Sequence, residues 1–478
     1  MALGRKIAYN VIVNVIMKVA STALALVGIG LMTRYLGTEG FGAYATVLAF
    51  FALFVALADF GLYQITARNI GKQDAAEEQR TIERVFTLRV MISAIVLVLA
   101  AVALPLLPYT HDVRSAILLV GVAFFFSSSY GLLNGVFQKH LRMDLVVITE
   151  FFGKVIQVAW IAGVMYLDAG FIWLVAGVVA AMAFNFAVIA FLVRRYVTLR
   201  LVWDPAYWRM FLAQSLPMGI AAVITFFYFK VDMILLSVLQ DQTAVGIYGA
   251  AYKIMENLIF FPAMVMGLML PILSRTLSTA RDEFVNYADK TLKVFSVIIL
   301  PIVIGILFRA DDIMRIVGGD DFDFTASALA LRMIAFALLF IFFGQFFTVL
   351  LVVGNRQKQL MMALGACAAF NLIGNWLLIP RYSYIAAAGM SVATEGLVVF
   401  LSIALVVYYM KYIPRIPQLA RILLANALLG IVLFLIAPLG LFSAIGIAAA
   451  TYLAALWLTR AISIDEIRLI FARDAKLA

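Results

Sequence analysis

The sequence predicts an all-α polytopic membrane protein, with about fourteen transmembrane helices in two six-helix lobes around a central cavity, followed by two extra C-terminal helices. Three observations carry this expectation. Of 478 residues, 65% are hydrophobic and 13% charged, and mean hydropathy is +1.06, far from the balance of a water-soluble domain. Apolar runs of roughly 20 residues, the length that crosses a bilayer, recur along the whole chain. Short motifs recur between its two halves. Unbroken runs such as 91–104 and 341–353 exclude the short alternating segments of a transmembrane barrel.

The expected spans are 7–33, 42–67, 85–107, 114–137, 145–166, 170–193, 209–239, 244–273, 287–308, 325–353, 359–379, 384–410, 420–437 and 440–459. The first follows Arg5 and Lys6, carries Lys18 and runs into a charged turn over 34–42. It is longer than a signal-peptide core and is read as an uncleaved helix. The seventh opens on Gln214-Ser215-Leu216-Pro217, Pro262 falls within the eighth, and Pro271 and Pro301 lie near span ends. Proline in a spanning helix frees backbone groups and permits bending, which suits alternating access.

Connections are short. The longest outer one, 309–324, contains the polar turn Gly318-Gly319-Asp320-Asp321 and leaves little room for an outer catalytic domain. On the opposite side, 68–84, 194–209 and 274–286 mix bases with apolar residues as amphipathic interfacial helices do. Trp203, Tyr207 and Trp208 suit a headgroup-level belt. With span-end residues assigned to the adjoining loop, 25 of the 36 Lys and Arg fall on the side of the termini, 5 on the other side and 6 inside spans. The positive-inside rule then places both termini in the cytoplasm. The net charge of +10 is thereby explained by membrane topology, and no nucleic-acid partner is expected.

Little else in the chain points to catalysis. Cys367 is the one cysteine, so no intramolecular disulfide can form, and it is read as a packing residue. His111 and His140 lie in separate loops, and no His, Cys and carboxylate spacing resembles a metal site. Gly71-Lys72-Gln73 is a bare Gly-Lys with no phosphate-loop pattern around it. The expectation is a transporter, not an enzyme, with no metal and no cofactor.

The halves repeat. Gly42-Ala43-Tyr44-Ala45 recurs as Gly246-Ile247-Tyr248-Gly249. Gln138-Lys139-His140-Leu141 recurs as Gln357-Lys358-Gln359-Leu360, and Ala169-Gly170 as Ala388-Gly389 at the same second offset. These matches argue for an N-lobe over 1–200 and a C-lobe over 201–412, with 413–478 supplying the last two spans and a cytoplasmic tail. An even number of helices gives both lobes one orientation, a parallel-repeat plan that puts the site between them.

Ionisable side chains inside spans mark candidate sites, because each costs about 2.5–3.5 kcal/mol at a lipid-facing helix centre. Six cations, Lys18, Arg89, Lys154, Lys230, Lys253 and Arg332, face five anions, Asp59, Glu150, Asp232, Glu256 and Glu395. Lys18, one turn after Asn14, is the first choice for a cation contacting an anionic cargo group, with a structural pair to Asp59 as the alternative. Glu150 with Lys154, and Lys253 with Glu256, stand at spacings that allow neutralisation on one helix face. Arg89 and Arg332 lie near span ends, where they can snorkel. Asp59 and Glu395 are candidates for coupling H+ or Na+, each with an interhelical hydrogen-bond role as the alternative, which is the favoured one for Asp59; Glu150, Asp232 and Glu256 complete the ion-coupling set. Lys18, Asn14, Arg89 and Lys154 form the first-lobe cargo set, and Lys230, Lys253 and Arg332 the second, so an anionic head could pass from one to the other.

The run Arg34-Tyr35-Leu36-Gly37-Thr38-Glu39-Gly40-Phe41-Gly42-Ala43-Tyr44, then Asp59-Phe60-Gly61-Leu62 and Arg68-Asn69-Ile70, resembles the first-hairpin signature of polysaccharide exporters. These are the Wzx-type O-antigen flippases of the multidrug/oligosaccharidyl-lipid/polysaccharide (MOP) superfamily. Lys230-Val231-Asp232 and the stretch from Val245 to Lys253 are similar to the second-lobe counterpart, and the resemblance covers essentially the whole chain. It implies a V-shaped pair of six-helix bundles in the bacterial cytoplasmic (inner) membrane. It also implies a cargo of oligosaccharide on undecaprenyl pyrophosphate moved to the outer leaflet, with membrane lipids and polysaccharide polymerase machinery as candidate partners. Three rivals stand beside this reading. A lipid II flippase or a drug/cation antiporter of the same superfamily would share the architecture, and a membrane-embedded glycan polymerase or ligase would need a larger outer loop. The nearly balanced charges inside the spans and the glycine-free turn Gln240-Asp241-Gln242-Thr243 depart from a strongly cationic, evenly repeated pattern.

Overall fold

The computed structural model describes residues 2–71, 73–319 and 322–461. Lys72, the turn residues Asp320 and Asp321, and the tail over 462–478 lie outside the described residues. The described chain is helical throughout: α1 (Ala2–Asp59), α2 (Leu62–Ile70), α3 (Ala75–Ala103), α4 (His111–Lys139), α5 (Met143–Leu167), α6 (Phe171–Val193), α7 (Pro205–Leu239), α8 (Gln242–Leu258), α9 (Phe260–Thr279), α10 (Arg281–Gly318), α11 (Phe324–Val353), α12 (Gln357–Met410), α13 (Leu419–Leu435) and α14 (Leu441–Leu458). Backbone bonds closed within each segment are what hydrocarbon requires.

Among the described residues, eleven stretches are long and apolar enough to cross a membrane, and α13 is a shorter apolar helix. Two of the eleven are too long for one crossing. The stretch 16–59 is interrupted at Gly37 (φ 64, ψ −172) and α12 at Ser383 (φ 51, ψ −135). Each break yields two spans, so the expected fourteen segments all have helical counterparts. Gly37 suits the left-handed region, which costs an ordinary residue about 1–2 kcal/mol; Ser383 adopts it without that freedom.

Four expectations are corrected. The expected span 42–67 ends early: α1 stops at Asp59, Phe60 (φ 37) and Gly61 (φ 75) turn the chain, and amphipathic α2 follows. The expected outer loop over 309–324 is largely helical, because α10 bends at Arg309 (φ −123, ψ 17) and continues to Gly318. Pro271 and Pro301, expected near span ends, sit inside α9 and α10. The segment after α6 is not an interfacial helix, since it runs without helix over 197–204 until Asp204 caps α7 through Tyr207 N–H (3.0 Å).

Two helix ends close in the same way at a spacing that differs from that of the Gln-Lys motifs. α4 ends with Leu141 left-handed (φ 52), His140 N–H bonding Val136 C=O (3.1 Å) and Arg142 N–H bonding Phe137 C=O (2.8 Å). α11 ends in the same way, with Asn355 left-handed (φ 57), Gly354 N–H to Leu350 C=O (2.8 Å) and Arg356 N–H to Leu351 C=O (2.8 Å). This paired closure satisfies carbonyls that a helix end leaves open. It aligns Leu141 with Asn355 and Arg142 with Arg356, five residues away from the register suggested by the Gln-Lys motifs. The next left-handed breaks, Asp168 (φ 46) and Ser383 (φ 51), stand 215 residues apart, one more than the 214 between Leu141 and Asn355.

The chain forms two compact units: Met1–Ala250 with Val317–Asp323 and Ala368–Ala387, and Ala251–Ile316 with Phe324–Cys367 and Ala388–Ala478. In the first, Ile70, Ile82, Leu133, Phe137, Val146, Ile189 and Val193 make one core; Leu62, Val85, Leu132, Trp208 and Phe211 make another. In the second, α13 and α14 join through Ile422, Ala425, Leu429, Tyr452 and Ala455.

Candidate functional site

The break after α1 places Asp59 beside α3 and α4. Arg89 on α3 is buried; its Nη2 donates to Asp59 Oδ1 (2.6 Å) and its Nε to Ser128 Oγ (2.8 Å), while Ser93 Oγ bonds Ser128 Oγ (3.3 Å). Arg89 Nη1 is buried without a hydrogen-bond partner among the described residues. The structure thus joins a cargo candidate to an ion-coupling candidate, and Arg89 does not snorkel. Gly61 lets this break reach α7: a Cβ there would meet Gly219 N at 3.0 Å, and one on Gly219 would meet the Phe60 ring at 2.5 Å.

Neighbouring polar groups in the first unit follow the helix faces. Tyr130 on α4 donates to Glu150 on α5 (2.9 Å), and Lys154 donates to Gln157 (2.8 Å). Asn185 on α6 packs against Gly153, whose Cβ would lie 2.9 Å from its Cγ. Asp232 is buried, accepts from Met233 N–H (2.8 Å) and takes the hydroxyl of Tyr248 from α8. Lys18 is exposed, whereas Asn14 and Lys230 are half-buried.

In the second unit, Lys253 Nζ lies 2.7 Å from Glu256 Oε2, the pairing that their three-residue spacing allows. Arg332 pairs with Asp311 and donates to Leu307 C=O (3.2 Å), so it is held by α10. Glu395 is 7% exposed, and Cys367 is buried as a packing residue would be. Arg89, Lys253 and Arg332 therefore have carboxylate partners. Lys18 is distinguished from the other five cations by its exposure.

Sequence reasoning missed several polar residues because neutral side chains raise no alarm in an apolar run. Asn371 and Asn375, one turn apart on α12, are buried, with Asn375 Nδ2 donating to Asn371 Oδ1 (3.0 Å). Their spacing was the available signal. Arg309, read as a loop residue, is buried and donates to the carbonyls of Ala437 (2.8 Å), Ile436 (3.2 Å) and Leu439 (2.7 Å). It also pairs with Asp312 (3.0 Å).

The repeated Gly-x-Tyr motif has a structural meaning within the first unit. A Cβ on Gly42 would lie 2.7 Å from the carbonyl carbon of Gln242 and 2.8 Å from Gly246 N; one on Gly246 would lie 3.0 Å from the carbonyl carbon of Thr38. The second half of α1 and the start of α8 therefore cross backbone to backbone, each presenting its glycine to the residue four before the other. Thr46 donates across the crossing to Gln242 Oε1 (2.8 Å).

The model of the polysaccharide biosynthesis protein family matches residues 7–277, and the MatE model matches 217–377. No curated protein matches significantly. Among solved structures, a lipid II flippase, MurJ, in an inward closed conformation is similar at TM-score 0.76 and 15% identity, over 94% of this chain and 99% of that one. A multidrug resistance MATE family transporter of the MOP superfamily, inward-facing, follows at 0.67 and 15%, over 84% and 97%. The eukaryotic MATE transporter AtDTX14 is similar at 0.55 and 13%, over 83% and 95%. At these identities the likeness is one of fold.

Proposed function

The chain belongs to the polysaccharide biosynthesis protein family, and from that membership we propose that it is a lipid-linked oligosaccharide flippase. It moves glycan repeat units of the O-antigen type, carried on undecaprenyl pyrophosphate, from the cytoplasmic to the outer leaflet of the bacterial inner membrane. Movement is by alternating access, with the repeats over 1–200 and 201–412 as the lobes and both termini cytoplasmic. The observation that carries the reading is the family match over residues 7–277 on a membrane-spanning helical fold.

The site chemistry supports it. A diphosphate needs cations it can reach, and Lys18 is the leading contact because it is exposed and lies in the middle of a span. Lys154 and Lys230 extend the cationic set. Arg89, Lys253 and Arg332 hold carboxylates in this conformation and serve as secondary contacts that a diphosphate would have to win from them. Asp59, Glu150, Asp232, Glu256 and Glu395 are the groups through which H+ or Na+ coupling would act. Polysaccharide polymerase machinery receives the flipped unit.

Mass spectrometry of polyprenyl-linked glycans in a deletion strain tests the function. The expected result is build-up of one intact repeat unit facing the cytoplasm, reversed by the wild-type chain. Build-up of lipid II would assign the chain to peptidoglycan instead, and an unchanged lipid-linked pool would remove the flippase reading.

A further inference from the structure

The segment that joins α6 to α7 is fixed along one face of α3. Gln79 Oε1 accepts from Thr198 N–H (2.8 Å) and Gln79 Nε2 donates to Thr198 C=O (2.7 Å). Two turns on, Thr87 Oγ1 accepts from Val202 N–H (2.8 Å). Between them Arg84 Nε pairs with Asp204 (3.0 Å), and Arg84 C=O accepts from Trp208 Nε1 (2.9 Å). Gln79 and Thr87 lie two turns apart along the helix, and Arg84 stands one turn before Thr87. Val197 is buried, and the stacked rings of Tyr196 and His140 pin the other end.

What this strap turns outward is chemically mixed. Arg194, Arg195 and Arg200 are exposed, and no carboxylate pairs with them among the described residues. Leu201 and Trp203 beside them are each 69% exposed. The Trp203 ring stands edge-on to Trp208 at 4.8 Å. Arg194 directly follows Val193, the last residue of the apolar span α6, so the strap begins where the chain leaves hydrocarbon. Tryptophan favours that depth, and arginine there meets the phosphates of the leaflet.

We infer that residues 194–203 form a docking strap for anionic phospholipid headgroups, with Arg194, Arg195 and Arg200 facing the phosphodiesters and Leu201 and Trp203 set into the acyl boundary. Charge complementarity selects the occupant: three uncompensated guanidiniums favour an anionic headgroup over a zwitterionic one, each by roughly fivefold near the surface. The inference stands independently of the proposed cargo.

The test is native mass spectrometry of the full chain released from detergent and titrated with phosphatidylglycerol or phosphatidylcholine of identical acyl chains. Phosphatidylglycerol should be retained preferentially, the preference should fall with salt, and R194Q/R195Q/R200Q should lower its retention at least tenfold while leaving phosphatidylcholine unchanged. The charge-preserving R194K/R195K/R200K should keep the preference, and Trp203→Ala should weaken retention of both lipids. No preference in the wild type, a preference that survives the glutamine variant, or loss in the lysine variant would each overturn the assignment. So would displacement of the lipid by inorganic diphosphate at equal phosphate concentration, which would mark a free-phosphate site.

Discussion

At the scale of single residues, charges within the apolar helices divide by their company. Arg89 is enclosed by Asp59 and Ser128, so its desolvation is offset by a paired charge; removing either partner strands the other, at about 3–5 kcal/mol. Arg89→Leu is therefore expected to lower stability by about 3 kcal/mol, and R89L/D59L to recover most of it, read by thermal unfolding in detergent. Equal losses in the single and double variants would show that the pair is not the source. Lys18 differs in being exposed. Lys18→Gln should leave the unfolding temperature unchanged and reduce clearance of the lipid-linked unit, with Lys18→Arg restoring it; normal clearance by Lys18→Gln at normal protein level would remove Lys18 from the site. Position inside an apolar span singled out both residues, but only the fold shows that Arg89 is paired with Asp59.

At the scale of elements, helix breaks and crossings decide which side chains meet. The crossing of α1 and α8 leaves no volume for a side chain at Gly42, and overpacking against backbone has no cheap relief. Gly42→Val should force these helices apart, so that a disulfide between cysteines placed at Thr46 and Gln242 forms readily in the parent and poorly in the variant. Efficient cross-linking in both would mean that the crossing tolerates the added bulk. Arg309 acts on a different element: it donates to the carbonyls of Ile436, Ala437 and Leu439 in the turn just past α13, a place for positive charge that a helix C-terminus favours. Arg309→Gln should accelerate amide hydrogen exchange around 434–440 by roughly tenfold, corresponding to about 1.4 kcal/mol of local stability, with exchange in α4 unchanged. The apolar runs revealed these helices, whereas the bend at Arg309 carries no local signal, because a lone arginine after an apolar run reads equally well as a loop.

At the scale of the whole molecule, the duplication expected from the sequence rests on two kinds of motif that behave differently in the structure. The Gly-x-Tyr motif marks a backbone contact and keeps its meaning in the structure. The Gln-Lys motifs stand five residues off the spacing of the two helix-end closures; exposed turn residues are free to drift while the closing hydrogen bonds of a helix end are not. The matched turns at Leu141 and Asn355 predict an asymmetry. Leucine in the left-handed region is strained by about 1–2 kcal/mol, and asparagine by less. Leu141→Gly should raise the unfolding temperature, while Asn355→Gly should change it little; the reverse order would contradict the alignment of the two turns.

The sequence by itself determined the membrane class, the fourteen helical segments and the family to which the chain belongs. These depend on hydropathy summed over some 20 residues and on short motifs, both of which survive without knowledge of contacts. It also exposed the Lys253 and Glu256 pair, since three-residue spacing on a helix is enough to bring the side chains together. Only the tertiary structure decided that Asp59 belongs to Arg89, Arg332 to Asp311 and Arg309 to the end of α13, and that residues 197–204 are a strap. Partners on different helices are set by packing between distant segments, and neither hydropathy nor periodicity along one helix encodes which faces will meet.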